Sequence, residues 1–157
     1  MHPAALPRLG GERLWDSQDY DEAAHYLKIR YAEGEIDFIL SDRLTTVPIL
    51  DYHFRGWTVP MEHAVEIAIK KLYHRAEGLK PRDIFDVAAI MTRHADLLKA
   101  HIHRLHEVKG KLVRRLQTLP QAYHERVLED LEILPAWEHL KPLARGMVTE
   151  FVEQIPA

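Results

Sequence analysis

The sequence contains no cysteine. Disulfide bonds and thiolate metal sites are therefore excluded, and a reducing compartment is permitted. No segment approaches the roughly eighteen consecutive apolar residues of a membrane span, and residues 1–7 lack the apolar stretch of a signal peptide, so we expect a cytoplasmic protein. The formal net charge is −3, so the chain does not have the excess of positive charge that is typical of a general nucleic-acid-binding protein. A local basic patch is compatible with this net charge.

Length and hydrophobic content predict one folded domain. A chain of 157 residues can bury about two-thirds of its unfolded surface, and a hydrophobic share of 46% supplies a core. Strand patterns dominate residues 1–61, and helix patterns dominate residues 62–157. We therefore expect a single α+β domain, 1–157, in which a small antiparallel sheet precedes a C-terminal helical bundle.

The strand-rich part contains two hairpin patterns. A strand over 26–31, a tight turn at 32–34 and a strand over 34–40 form the first. In the last of these strands the alternation places Ile36, Phe38 and Leu40 on one face and Asp37 on the other. Residues 52–59 predict a further strand or hairpin.

The helical part divides at proline and glycine. We expect core stripes along these helices, with Trp137 and Phe151 as core or cap residues at the C-terminal end. The predicted helices cover residues 61–76, 81–94, 95–119, 121–134 and 135–154.

The first helix carries charges beside its apolar stripe. Glu66 and Lys70 form an ordinary i,i+4 pair worth a few tenths of a kcal/mol. Lys71 and Arg75 lie together on the opposite flank, at the edge of the stripe. A basic pair at such a border can bury its stems and present its charged ends to an anion.

The second helix begins with two acids on one face. Gly78 suits a helix end and Pro81 suits the first turn of the next helix. Asp83 then lies in that first turn, and Asp86 follows three residues later. Asp83 is either an acid that complements the helix dipole or part of a buried Arg–Asp network between the two helices. In such a network we expect Asp86 to be the more costly acid to remove, because it lies one turn inside the helix, where the dipole compensates a carboxylate less.

The charges of this region resemble a family signature. The signature is a Glu, a Lys five residues later, an Arg, and then Arg-Asp followed by a second Asp. In this chain it is carried by Glu66, Lys71, Arg75, Arg82, Asp83 and Asp86. The pattern resembles the AbiEii/AbiGii-type nucleotidyltransferases, toxins of abortive-infection toxin–antitoxin systems, over roughly residues 28–92.

The resemblance implies a fold and a chemistry. The sheet would be a remnant of a nucleotidyltransferase-like fold, and the reaction would pass a nucleotide from a nucleoside triphosphate to an acceptor hydroxyl, with Mg²⁺ held by carboxylates. It implies Asp37 as a catalytic metal ligand and Lys71 as a catalytic residue, an antitoxin protein as partner and an RNA acceptor. Binding or supporting roles would belong to Arg75, Arg82, Asp83 and Asp86. A solvent-facing acid is the alternative for Asp37.

The sequence departs from the family at its N-terminal end. The family has a Gly-Gly or Gly-Ser turn and, about ten residues later, Asp-x-Asp on a strand. Gly10-Gly11 and Asp19-Tyr20-Asp21 have the residue types of this motif, but the spacing between them is too short. We interpret the acidic residues of this segment as solvated: Asp16, Asp19, Asp21 and Glu22. We therefore expect an N-terminally truncated member that is inactive alone. There are two alternatives. The first is a non-catalytic interaction module that binds an antitoxin or another protein, and the second is a degenerate protein that folds but has lost its function.

Two further patterns lie near the middle of the chain. His94, His101, His103 and His106 lie close in sequence, but zinc needs three or four ligands in a set geometry, so we expect exposed helix histidines. Arg104, Lys111 and Arg115 predict a basic stripe. The stripe is either a solvent-exposed helix face or a binding surface. As a binding surface it would contact an RNA acceptor or the acidic surface of an antitoxin.

Overall fold

The computed structural model describes residues 20–156 of the chain. Its residues divide into two compact units, Met1–Asp42 and Arg43–Ala157, and each unit is described by itself. Two small antiparallel sheets and several helices confirm the α+β class. The assignment of residues 1–157 to a single domain stays a prediction.

The first unit contains a three-stranded antiparallel sheet in the order β1-β2-β3. The strands are β1 (Tyr20–Ala23), β2 (Tyr26–Tyr31) and β3 (Gly34–Ile39). The predicted hairpin of β2 and β3 is confirmed, with the turn at 32–33. The sequence reading missed β1, because its acids Asp21 and Glu22 are typical of a solvated segment; both are exposed, but they lie on a paired strand.

The two faces of this sheet differ in polarity. On the apolar face, Ile36 and Phe38 lie opposite Ile29 and Leu27 of β2, which confirms the predicted alternation. Every residue of β3 is nevertheless exposed. Leu40 follows the end of β3 and donates its backbone N–H to the His25 carbonyl at 2.8 Å.

The second unit begins with a hairpin of β4 (Leu50–Phe54) and β5 (Trp57–Met61). This confirms the hairpin expected around residues 52–59. The two turn residues, Arg55 and Gly56, have φ values of 48° and 83°. Two consecutive positive φ values fit the turn whose twist matches that of the flanking strands.

The helices follow the hairpin. The predicted break after His94 is only a local distortion, where its φ of −136° interrupts a helix that continues to Ala100. The predicted helix over 95–119 is wrong as one element, because the chain changes to a 3-10 helix at 102 and to a new α-helix at 109. The helices are α1 (Ala64–His74), α2 (Pro81–Ala100), a 3-10 helix (Ile102–Val108), α3 (Lys109–Thr118), α4 (Gln121–Glu129), a 3-10 helix (Pro135–Leu140) and α5 (Ala144–Glu153).

The core of the second unit is built from the predicted apolar stripes. Val65, Ile69 and Leu72 of α1 and Ile84 of α2 are fully buried, and Phe151 of α5 is buried with them. Trp137 is partly buried against this core. Within residues 20–156, no helix is both long and apolar enough to cross a membrane.

One histidine of α4 is enclosed by the core. His124 is 3% exposed, and neither of its ring nitrogens has a hydrogen-bond partner within the described part of the chain. Burial lowers the pKa of His124, the nearby Arg145 lowers it further, and Glu125 opposes both. The folded protein therefore favours the neutral imidazole.

We predict that part of the pH dependence of stability comes from His124. Because its pKa in the folded state lies below the ordinary value of 6.5, the unfolded chain binds the proton more readily. The stabilisation is therefore fully present above that value and is lost as the pH falls below it. His124→Leu should show a shallower fall in the free energy of unfolding between about pH 7.5 and about pH 5.5, measured by urea denaturation.

The exposed His106 offers a matched control. His106→Leu should retain the pH dependence of the parent protein. A His124→Leu profile parallel to that of the parent would contradict the assignment.

Candidate functional site

The site is built at the junction of α1 and α2. Helix α1 begins after His63, whose Nδ1 accepts the Val65 backbone N–H at 3.1 Å. Pro81 begins α2, as the sequence predicts, and Asp83 in its first turn accepts the Lys80 backbone N–H at 3.2 Å. The apolar stripes of both helices face the core, so the charged residues at their borders meet.

A buried carboxylate joins the two helices. Asp83 is fully buried, and its Oδ1 accepts from Arg75 at 2.8 Å and from Lys71 Nζ at 3.2 Å. Lys71 also pairs with Asp86. The Arg–Asp network that the sequence left open as one of two readings is therefore present, and it needs both cations because burial of an unpaired carboxylate costs several kcal/mol.

The members of this network differ in exposure. Asp86 is 45% exposed and Arg75 is 52% exposed, whereas Lys71 is 21% exposed. The sequence argument placed the more costly carboxylate at Asp86, because the helix dipole compensates less there. Burial reverses that order, since Asp83 and not Asp86 is removed from water. The Arg82 side chain is exposed, and no hydrogen bond or ion pair joins it to another side chain within residues 20–156.

Glu66 has a role that the sequence reading missed. It is 1% exposed and accepts the backbone N–H groups of Leu44 and Thr45, both at 2.8 Å, and the Thr45 hydroxyl. Lys70 lies 3.6 Å away, so the predicted i,i+4 pair is only its outer contact. Burial alone would raise the pKa of Glu66, but the hydrogen bonds and Lys70 hold it below the usual value. The only indication of its burial in the sequence was that it is adjacent to Val65, a residue of the apolar stripe.

Two clefts lie beside the network. The first, of about 420 Å³, is lined along the end of α1 by His74, Arg75 and Glu77 and closed by Lys80 and Lys111. The second, of about 510 Å³, shares Glu77 and Lys111 with the first. Its remaining lining residues are Gly110, Arg114, Arg115 and Thr118.

The charge around these clefts is mostly positive, with one acid, Glu77, among the residues that line them. Lys111 pairs with Glu77 at 3.0 Å, and both side chains are largely exposed. Arg115 donates from Nε to the Leu79 carbonyl at 2.9 Å, so this member of the predicted basic stripe supports the loop between α1 and α2. Arg104, the third member, is exposed.

The remaining candidates belong to the first unit or lie outside the described residues. Asp37 belongs to the first unit, where it lies 3.4 Å from Lys28, which also pairs with Glu35 at 2.8 Å. Gly10, Gly11, Asp16 and Asp19 lie outside the described residues. Between residues 20 and 156 there is no group of three or more His, Asp or Glu side chains that could hold a metal ion. Asp37 as a metal ligand stays a prediction.

The four histidines differ in their exposure. His101 is buried, with Nδ1 2.9 Å from the Leu97 carbonyl and Nε2 3.2 Å from the Thr46 hydroxyl. It is therefore a core histidine and not an exposed one. His94 is partly buried and packs edge-on against His63, with their ring centroids 4.8 Å apart. His103 and His106 are exposed as expected.

We predict different stabilities for variants of the two acids at the start of α2. Asp83→Ala should lower the free energy of unfolding by about 3 kcal/mol or more, because it removes a buried carboxylate on which two cations depend. Asp86→Ala should cost well under about 1 kcal/mol, since a half-exposed pair is screened by water. Urea denaturation of both variants measures the difference. Equal midpoints for the two variants would show that Asp83 is not the residue that joins the helices.

Glu66 gives a second stability prediction. Glu66→Gln places an amide among three donors and removes the charge that they stabilise, so it should destabilise by about 2 kcal/mol. Glu62→Gln is the matched control, because Glu62 contacts the same Lys70 at 2.6 Å but is 40% exposed. The control should change stability by less than about 0.5 kcal/mol. If Glu62→Gln lowered the free energy of unfolding as much as Glu66→Gln, the effect would come from the lost contact with Lys70 and not from the backbone of Leu44 and Thr45.

Comparison with known protein families connects this geometry to a class of enzyme. Searches among curated proteins and among solved structures find no match. Residues 5–157 match the family described as nucleotidyl transferase AbiEii toxin, of type IV toxin–antitoxin systems. The match spans both units and includes Lys71, Arg75 and Asp83. It confirms the family expected from these charges. The chain belongs to the AbiEii nucleotidyltransferase toxin family.

Proposed function

We propose that the protein serves nucleotidyl transfer by binding the triphosphate or the acceptor strand in the cleft beside the Asp83 network. The observation that carries this proposal is the arrangement of Arg75, Lys80 and Lys111 around one cleft with a single acid, Glu77. A guanidinium and two ammonium groups are the ligands that phosphate oxygens prefer in proteins.

The network determines which cations are available to a ligand. Asp83 and Asp86 together balance the charges of Lys71 and Arg75, so these four side chains are close to neutral as a group. Arg75 is half exposed and keeps further N–H groups for a phosphate, because a guanidinium has five donors. Lys71 contacts two carboxylates, so its proposed role is to hold Asp83 and Asp86 in place. A catalytic role for Lys71 stays a prediction.

The described residues do not fit a magnesium site. The family's chemistry uses divalent metal, but Asp83 and Asp86 share an ammonium group, and Asp37 and Glu35 both contact Lys28. Carboxylates paired with cations in this way are poor ligands for a hard cation, which requires several free oxygen atoms. We therefore propose that the 157-residue chain binds nucleotide or RNA without transferring a nucleotide by itself.

Partners follow from the family in the same way. A toxin–antitoxin family implies an antitoxin, and the positive clefts are the part of the described surface to which an acidic antitoxin or an RNA acceptor would bind. The second candidate is a non-catalytic interaction module that binds an antitoxin or another protein through the same positive clefts.

The cleft proposal predicts the effect of removing two exposed lysines. Lys80→Ala combined with Lys111→Ala should weaken binding of a fluorescent nucleoside triphosphate at least about tenfold, which corresponds to about 1.4 kcal/mol. Arg82→Ala is the matched control, since Arg82 is an exposed cation of the same helix start that does not line the cleft. Fluorescence anisotropy at two salt concentrations measures both variants.

Two results would contradict the proposal. The first is equal binding by the double variant and the Arg82→Ala control, which would place the anion elsewhere. The second is transfer of label from a nucleoside triphosphate to RNA or to the chain itself, in the presence of magnesium, that disappears in Asp37→Asn. That result would show a complete metal site in this chain.

A further inference from the structure

One face of the β4–β5 hairpin is entirely apolar. The register pairs residue 50 with 61, 52 with 59 and 54 with 57, and since side chains alternate across a strand, these three pairs share a face. The opposite face carries Asp51, His53, Thr58 and Pro60. The apolar face consists of Leu50, Tyr52, Phe54, Trp57, Val59 and Met61.

All six side chains of this face are exposed to solvent. Trp57 is 75% exposed, and Tyr52 and Phe54 are half exposed and stacked, with ring centroids 6.5 Å apart. With about 200 Å² for each aromatic side chain, the three aromatic residues expose on the order of 350 Å². Together with the aliphatic residues the face presents roughly 550 Å², which is near the upper end for the largest apolar patch of a monomer.

The hairpin also lacks other support. Within the described residues its sheet has only two strands, and a two-stranded hairpin is marginally stable in water unless a further element covers it. A surface that covers this face would therefore stabilise the hairpin as well as remove apolar area from water.

The arrangement of side-chain sizes fits a second copy of the same face. Along the hairpin, the base row is aliphatic (Leu50 and Met61) and the tip row is aromatic (Phe54 and Trp57). Two copies related by a two-fold axis, with their hairpins antiparallel, place each base row against a tip row and the central rows against each other. No side chain of the face carries a charge. Arg55 at the tip lies with its guanidinium 5.3 Å from the centre of the Phe54 ring. The antiparallel pairing places the two Arg55 side chains at opposite ends, so it opposes no like charges.

The area agrees with such a contact. A face of roughly 550 Å² on each copy buries roughly 1,100 Å² in total, which just exceeds the roughly 1,000 Å² of a specific interface. We propose that the apolar face of the β4–β5 hairpin is a self-association surface, on which a second copy of the chain packs face to face with its hairpin antiparallel. Interfaces near this lower size limit form weak, transient complexes, and we expect a dissociation constant on the order of 10 µM.

Analytical ultracentrifugation of the full chain over a concentration series tests the proposal. The parent protein should sediment as a monomer–dimer equilibrium. Trp57→Lys should weaken the association at least about tenfold, because it places a charge against the aliphatic base row of the second copy. Thr58→Lys, one residue along and on the opposite face, should leave the association unchanged. Circular dichroism of both variants shows that each is folded.

The absence of cysteine from the chain permits a second measurement. A single cysteine in the central row, Tyr52→Cys, should be linked to its copy by a short bifunctional maleimide. Sheets that pack face to face lie about 10 Å apart, which is beyond the reach of a direct disulfide. His53→Cys, on the opposite face, should not be linked above the level of random collision.

Two outcomes of these experiments would show that a second copy of the chain does not occupy this face. A parent chain that remains monomeric up to about 100 µM, ten times the expected dissociation constant, overturns the proposal. Association that Trp57→Lys and Thr58→Lys weaken equally also overturns it. In that case the dimer uses another surface, and the hairpin face belongs to a different protein.

Discussion

A fully buried carboxylate holds the junction of α1 and α2 together. Asp83 lies in the first turn of α2. Of its two cations, Lys71 belongs to the last turn of α1 and Arg75 directly follows that helix. A charge without contact to water is stable only when it is paired and hydrogen-bonded. The geometry of the two helices is therefore constrained by this one side chain. The loop between them and the clefts that it borders take their shape from the same constraint.

A second buried carboxylate acts on the other side of α1. Glu66 binds the backbone at Leu44 and Thr45 and thereby attaches the segment that precedes the hairpin to the first turn of the helix. Backbone N–H groups in an irregular segment have no ladder to pair with, and a carboxylate can satisfy two of them at once. Helix α1 thus connects the start of the second unit to α2. Glu66 makes the contact on one flank of the helix, and Lys71 makes the contact with Asp83 on the opposite flank.

The two acids explain why the family signature consists of charged residues although much of it is structural. Lys71, Arg75, Asp83 and Asp86 form a nearly neutral group. The positive charge at the cleft comes from Arg75 together with Lys80 and Lys111. The residues that define the family and those that present charge to a ligand overlap only in part. A pattern search detects the first group, and only the shape of the cleft reveals the second.

Much of this could be predicted from the sequence because the causes are local. Period-two alternation identified β2 and β3, Pro81 identified the start of α2, and the spacing of Val65, Ile69 and Leu72 identified the core stripe of α1. Each depends on residues within one or two turns of each other.

The tertiary structure decided what depends on distant neighbours. The exposed acids of β1 pair as a strand because β2 folds beside them. Glu66 is buried because a segment 21 or 22 residues earlier in the chain covers it. The difference between Asp83 and Asp86 is one of burial, which helix spacing does not specify. The sequence alone determined which charges lie at the junction of α1 and α2. Packing determined which of them lose contact with water, because desolvation depends on every element around a side chain and not on its own helix.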